Sequence, residues 1–147
     1  MATQLDPNTV ENLQTVEAMV AGPDGANRLF TIMGTIPVEV SLSNRSRTRQ
    51  EPPRQEAFTL LLGPTLRHRE FHQAIASVFP CGFGATGTVP LHGDFLWSVA
   101  DTDADWDDES QRVRLRFEVH LQARGDGGVS VTRVGFQVAI LAEVANR

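Results

Sequence analysis

Residues 112–144, RVRLRFEVHLQARGDGGVSVTRVGFQVAILAEV, carry the pattern on which the fold turns. In the first part, Val113, Leu115, Phe117, Val119, Leu121 and Ala123 share one parity, while Arg112, Arg114, Arg116, Glu118, His120 and Gln122 share the other. Successive side chains of a strand point to opposite faces, so this alternation describes a strand with one buried and one polar face. At about 3.3 Å per residue it is roughly 40 Å long. Gly125-Asp126-Gly127-Gly128 supplies the backbone freedom for a reversal, and the pattern predicts a long C-terminal β-hairpin.

The second half of the stretch is less regular. Val129 and Val131 are odd, whereas Val134, Phe136, Val138, Ile140, Ala142 and Val144 are even. A strict two-residue period cannot change phase unless an extra residue is inserted or the buried face switches. A bulge close to Thr132-Arg133 follows if one face stays inward. Ala139 and Leu141 place apolar groups on the nominal outside, which marks that surface for a covering helix or a neighbouring subunit.

Working back toward the N-terminus, Phe30, Ile32, Gly34, Ile36, Val38, Val40 and Leu42 repeat at period two, and Gly34 and Pro37 interrupt them. Ala57 to Leu62 is a short apolar run ended by Gly63-Pro64, and Asp94 to Ala100 alternates through Phe95, Trp97 and Val99. Two segments show helical spacing instead. Asp6 as N-cap, Pro7 at the first position and Val10, Leu13, Val16 and Val20 predict a helix over about Pro7 to Ala21, stopped by Gly22-Pro23. Thr65 as cap with Phe71, Ala74, Ile75 and Val78 predicts a second helix to about Phe79, closed by Pro80. The glycines from Cys81 to Thr88 read as a turn or loop.

The expected architecture is α+β: one domain over residues 1–147, with a mostly antiparallel sheet of roughly four to six strands, the long C-terminal hairpin and two packed helices. The alternative is a β-sandwich or barrel with peripheral helices. Exposed loops are expected at 43–54, where Arg45, Arg47, Arg49 and Arg54 accompany a double proline, and at 101–110. Six carboxylates between Asp101 and Glu109 repel one another too strongly for a packed strand.

Composition narrows the chemistry. The 147 residues are 41% hydrophobic and 21% charged, the normal balance of a domain that buries a core unaided. One cysteine permits no intrachain disulfide, and no apolar run reaches the roughly 18 residues of a membrane span, so a soluble, cytoplasmic protein is the default expectation. All thirteen basic residues are arginine, which excludes a lysine Schiff base or a phosphate-loop lysine. The glycines of Gly82 to Gly87 lack the Gly-Lys-Ser/Thr ending of such a loop. The net charge of −5 argues against a general nucleic-acid binder.

Few residues suggest catalysis. His68 and His72 would share a helix face and suit a zinc ion, with His92, Asp94 and His120 available as further ligands. Asp101, Asp103 and Asp105 offer hard oxygen donors of the kind Ca²⁺ takes, but Trp106 and Arg112 stand where a calcium-binding hand needs glycine and glutamate. Cys81 with a histidine is the nucleophile–base pair that chance most easily supplies. The preferred reading is a non-enzymatic assembly or protein-interaction module that forms a homo-oligomer. Its contact residues would be Arg45, Arg47, Arg49, Arg54, Trp106, Ala139 and Leu141. The alternatives are a small metal-dependent enzyme or ligand-binding domain near His68/His72, and a nucleic-acid-binding module acting through Arg45 to Arg54.

Overall fold

The computed structural model describes residues 1–23, 25–44, 52–87, 95–123 and 127–143, leaving aside the side chains at 44, 86, 87 and 95. Among the described residues, eight strands form two four-stranded sheets whose apolar faces meet in one core. They are β1 (Thr3–Gln4), β2 (Glu11–Gly22), β3 (Gly25–Asn44), β4 (Arg54–Leu62), β5 (Phe71–Gly87), β6 (Phe95–Asp107), β7 (Arg112–Ala123) and β8 (Gly127–Glu143). One sheet has the order β1-β4-β7-β6 and the other β2-β3-β8-β5. All pairings are antiparallel except the short one between β1 and β4.

The C-terminal hairpin does not form. β7 lies between β4 and β6, while β8 lies between β3 and β5 in the opposite sheet. Each strand has one apolar face, and the chain crosses between sheets so that these faces meet as the two halves of the core. Pairing the strands in one sheet would have turned both faces the same way and left a second layer to be found elsewhere. Phe117, Leu115, Leu60, Ile36, Val131 and Ile140 are among the fully buried residues of this interior, and the Phe58 and Phe117 rings stack with centroids 5.5 Å apart.

The phase change in β8 is present at the expected place. Val131 and Val134 are both buried, Thr132 and Arg133 between them are exposed, and register shifts occur here against both neighbouring strands. The same face therefore stays inward on both sides of the irregularity.

Neither expected helix forms. The described helical structure is two three-residue 3-10 turns, Pro7–Thr9 and His68–Glu70. Asp6 does cap the first, its carboxylate accepting from the Asn8 amide at 2.9 Å, but the chain is extended again at Val10. Residues 11–22 then pair along β3, and Gly22 meets Gly25 where helical spacing had suggested a helix stop. The second segment supplies β8 with its partner on the other side. Apolar residues at 71, 74, 75 and 78 satisfy a helical period, but in the strand Ala74, Ala76 and Val78 turn inward while Ile75 and Phe79 turn out. A free β8 edge inside the sheet would leave a row of backbone donors and acceptors unpaired, and this outweighs local propensity. Pro80 and the glycines after it lie within β5, an edge strand of its sheet, where a missing amide is tolerated.

The acidic run is likewise a strand as far as Asp107, and only Asp108 to Gln111 form the turn that leads into β7. Asp103, Asp105 and Asp107 of β6 point outward opposite Arg116, Arg114 and Arg112 of β7, while Ala104 and Trp106 point inward. Repulsion among the carboxylates is relieved by an arginine row on the neighbouring strand.

Candidate functional site

Two surfaces concentrate unusual features, and the first is β2. This strand is the edge of its sheet and is exposed at all twelve positions. It nevertheless carries Leu13, Val16, Met19 and Val20, which are 54%, 56%, 61% and 39% exposed. Its pairing places Thr15 beside Ile32 and Glu17 beside Phe30 on the inner face, and Val16 beside Thr31 and Ala18 beside Leu29 on the outer face. Both faces of β2 are open to solvent. A groove of about 270 Å³ opens beside it, lined by Val10, Leu13, Phe30, Ile32, Leu61 and Pro64.

The edge carries two charges, and each is met within the chain. Glu17 accepts from Arg28 at 2.7 Å, and Arg28 also lies over the Phe30 ring at 4.7 Å. Glu11 pairs with Arg133 at 3.0 Å. Asn12 has a φ of 55° at a register irregularity, which ends the regular part of the edge on one side. The outer face of the sheet continues the apolar character inward: Ala139 lies between Thr31 and Ile75, and Leu141 lies between Leu29 and Gln73. Ala139 and Leu141 are half-buried by these neighbours, and Ile75 is 64% exposed.

The second surface is the polar face of β6 and β7. A bulge between Ala100 and Asp103, with Asp101 at a φ of 50°, brings the Asp101 carboxylate beside Glu118 and His120. One donor atom from each of the three lies within 4.8 Å of the others. Glu118 accepts from Arg116 at 3.1 Å and lies 3.1 Å from His120 Nε2. Hydrogen bonding with His120, Arg116 and Asp101 holds the Glu118 carboxyl below its ordinary range. Two carboxylates and an imidazole are the donor set for a divalent cation, although the Arg116 guanidinium already supplies positive charge at this point.

The remaining candidates are placed as follows. Trp106 is half-buried, donates its indole N–H to the Leu66 carbonyl at 2.9 Å and packs against His68 with ring centroids 4.8 Å apart. His68 lies in a 3-10 turn and exposed His72 follows on β5, so the helix face that would have made them joint ligands is absent. Asp103 and Asp105 stand opposite arginines, apart from the Asp101 cluster. Arg54 is exposed at the start of β4 and lies 3.6 Å from Glu56, and Cys81 is exposed on β5. Arg45, Arg47, Arg49, His92 and Asp94 lie outside the described residues.

Sequence reasoning missed β2 and Glu118. Glu118 and His120 are visible as neighbours on one strand face, but the β6–β7 register is needed to add Asp101. No family model, curated protein or solved structure matches this chain.

Proposed function

We propose that this chain is a non-enzymatic assembly module that self-associates through the β2 side of its sandwich. The observation that carries the reading is β2 itself, an edge strand exposed along its whole length and bearing four large apolar side chains. Edge strands that must remain unpaired are usually short or protected by lysine, proline or unpaired charge. Residues 13–21 contain no proline and no basic residue, and their one acid is paired with Arg28. The groove beside Leu13 adds apolar area that an incoming strand would cover.

Light scattering across protein concentration tests this directly. The wild type is expected to run as an oligomer. The double variant Val16→Lys/Met19→Lys is expected to run as a monomer with an unchanged β-sheet circular dichroism spectrum. A monomeric wild type at every concentration would sink the proposal.

A second reading, a cation-binding domain, is favoured by the proximity of Asp101, Glu118 and His120. Metal analysis of the purified protein tests it: stoichiometric metal lost in Glu118→Gln would support it, and metal retained in that variant would exclude this cluster.

A further inference from the structure

The geometry points to a second copy of this chain as the occupant of the β2 edge, paired antiparallel about a twofold axis that passes at Val16. The inference rests on the self-association reading and adds the partner strand and its register.

A twofold axis normal to the sheet sets β2 against β2 of the other copy. Residues related by such an axis share a face, so each possible register can be judged by what it places opposite what. Centring on Glu17 sets that carboxylate against its own copy. Centring on Gln14 sets Glu11 against Glu17, and centring on Thr15 or on Ala18 sets Glu17 against Leu13 or Met19. Centring on Met19 leaves Leu13 to Thr15 beyond the end of the partner's β2. Centring on Val16 avoids all of these: Val16 meets Val16, Leu13 meets Met19, Gln14 meets Ala18, and Glu17 meets Thr15. The two large apolar residues of the inner face then cover each other twice, once on each side of the axis. No carboxylate faces another.

The neighbouring strands agree with this register. On the outer face, Val16 lies beside Thr31 and Ala18 beside Leu29, so the apolar strip passes from one copy into the other. On the inner face, Met19 of one copy arrives opposite Leu13, which lines the open groove. The acids on the edge are already neutralised by Arg28 and Arg133, so two copies approach without bringing unpaired negative charge together. The irregularity at Asn12 and the last cross-strand pair, Gly22 with Gly25, bound the pairing at both ends.

This contact is isologous: each copy uses the same edge, and none of it is left for a third. Two four-stranded sheets become one continuous eight-stranded sheet, and the assembly closes as a dimer.

Cysteine cross-linking reads the register. In a Cys81→Ser background, Val16→Cys is expected to form a disulfide-linked dimer under mild oxidation, since directly opposed residues across an antiparallel pair lie about 4.5–5.5 Å apart at Cα, within disulfide reach. Ala18→Cys, two positions further from the axis in each copy, is expected to stay uncross-linked. Leu13→Cys mixed with Met19→Cys should yield a mixed dimer that neither variant forms alone. If light scattering shows a dimer but Ala18→Cys cross-links in place of Val16→Cys, this register is overturned and self-association stands. A dimer that survives Val16→Lys/Met19→Lys places the contact elsewhere and overturns the β2 pairing. A monomer at all concentrations overturns both.

Discussion

Phe79 of β5 stands directly opposite Gly135 of β8, and its ring lies so close that a Cβ on residue 135 would come within 2.5 Å of it. Gly135 is buried although it is on the outward side of its sheet, because the ring covers it. An aromatic laid over a strand glycine restores the packing the glycine lacks. Gly135→Ala is therefore expected to lift the ring away and destabilise the fold by about 1 kcal/mol. In a Phe79→Ala background the same change should be neutral or stabilising, because alanine restricts the unfolded chain more than glycine does. Urea melts of the four proteins in a double-mutant cycle measure this coupling.

Trp106 is expected to serve folding more than assembly. Its indole N–H is bonded to the Leu66 carbonyl and its ring meets His68. Trp106→Phe should lower stability by about 1 kcal/mol through the lost hydrogen bond, with the oligomeric state unchanged. Thermal melts paired with light scattering separate the two effects; loss of assembly at unchanged stability would contradict this assignment.

Acid should weaken the polar face of β6 and β7. Hydrogen bonding with His120, Arg116 and Asp101 lowers the Glu118 carboxyl from its ordinary 4.5, and the Ser110 hydroxyl and amide, followed by Arg114, lower Asp107 from 3.8. A carboxyl that is more acidic when folded binds fewer protons in the native state than in the unfolded one. Its contribution is thus complete above the ordinary value and is lost as pH falls through and below it. Stability is expected to decline below about pH 4.5, and Glu118→Gln should flatten part of that decline. Urea melts from neutral pH to pH 3 would show the slope. An unaltered slope in the variant would assign the acid sensitivity elsewhere.

Core and edge should respond oppositely to truncation. Phe117 is fully buried and stacks on Phe58, so Phe117→Ala is expected to cost about 3–5 kcal/mol. Val16→Ala, on the exposed edge, should leave the stability of the isolated monomer within about 0.5 kcal/mol and act on association. Denaturant titrations at low and high protein concentration distinguish the two.

Much of the sheet was legible in the residues alone. The boundaries of Arg112–Ala123 are those of β7, and the β8 phase change at Thr132-Arg133 was readable from its valines. Both are consequences of a strict local period. The segments around Val16 and Ile75 were misread because apolar residues three and four apart also fit a helix, and both segments open with a turn that a helix would share. Residues 101–107 of the acidic run form a strand that local charge counting does not show, because the neutralising arginines lie on another strand.

What local chemistry determined about this chain is which side chains need burial and where each strand must kink, since alternation is set by the backbone. What the tertiary structure decided is the partner of each strand. β7 and β8 carry complementary apolar faces, and only the whole chain determines that those faces meet across the core instead of lying side by side. The same holds for β2 and for the Asp101, Glu118 and His120 cluster. Hydrogen-bond partners and cross-strand neighbours come from distant positions, so a free edge or a gathered set of donors exists only once the register between strands is set.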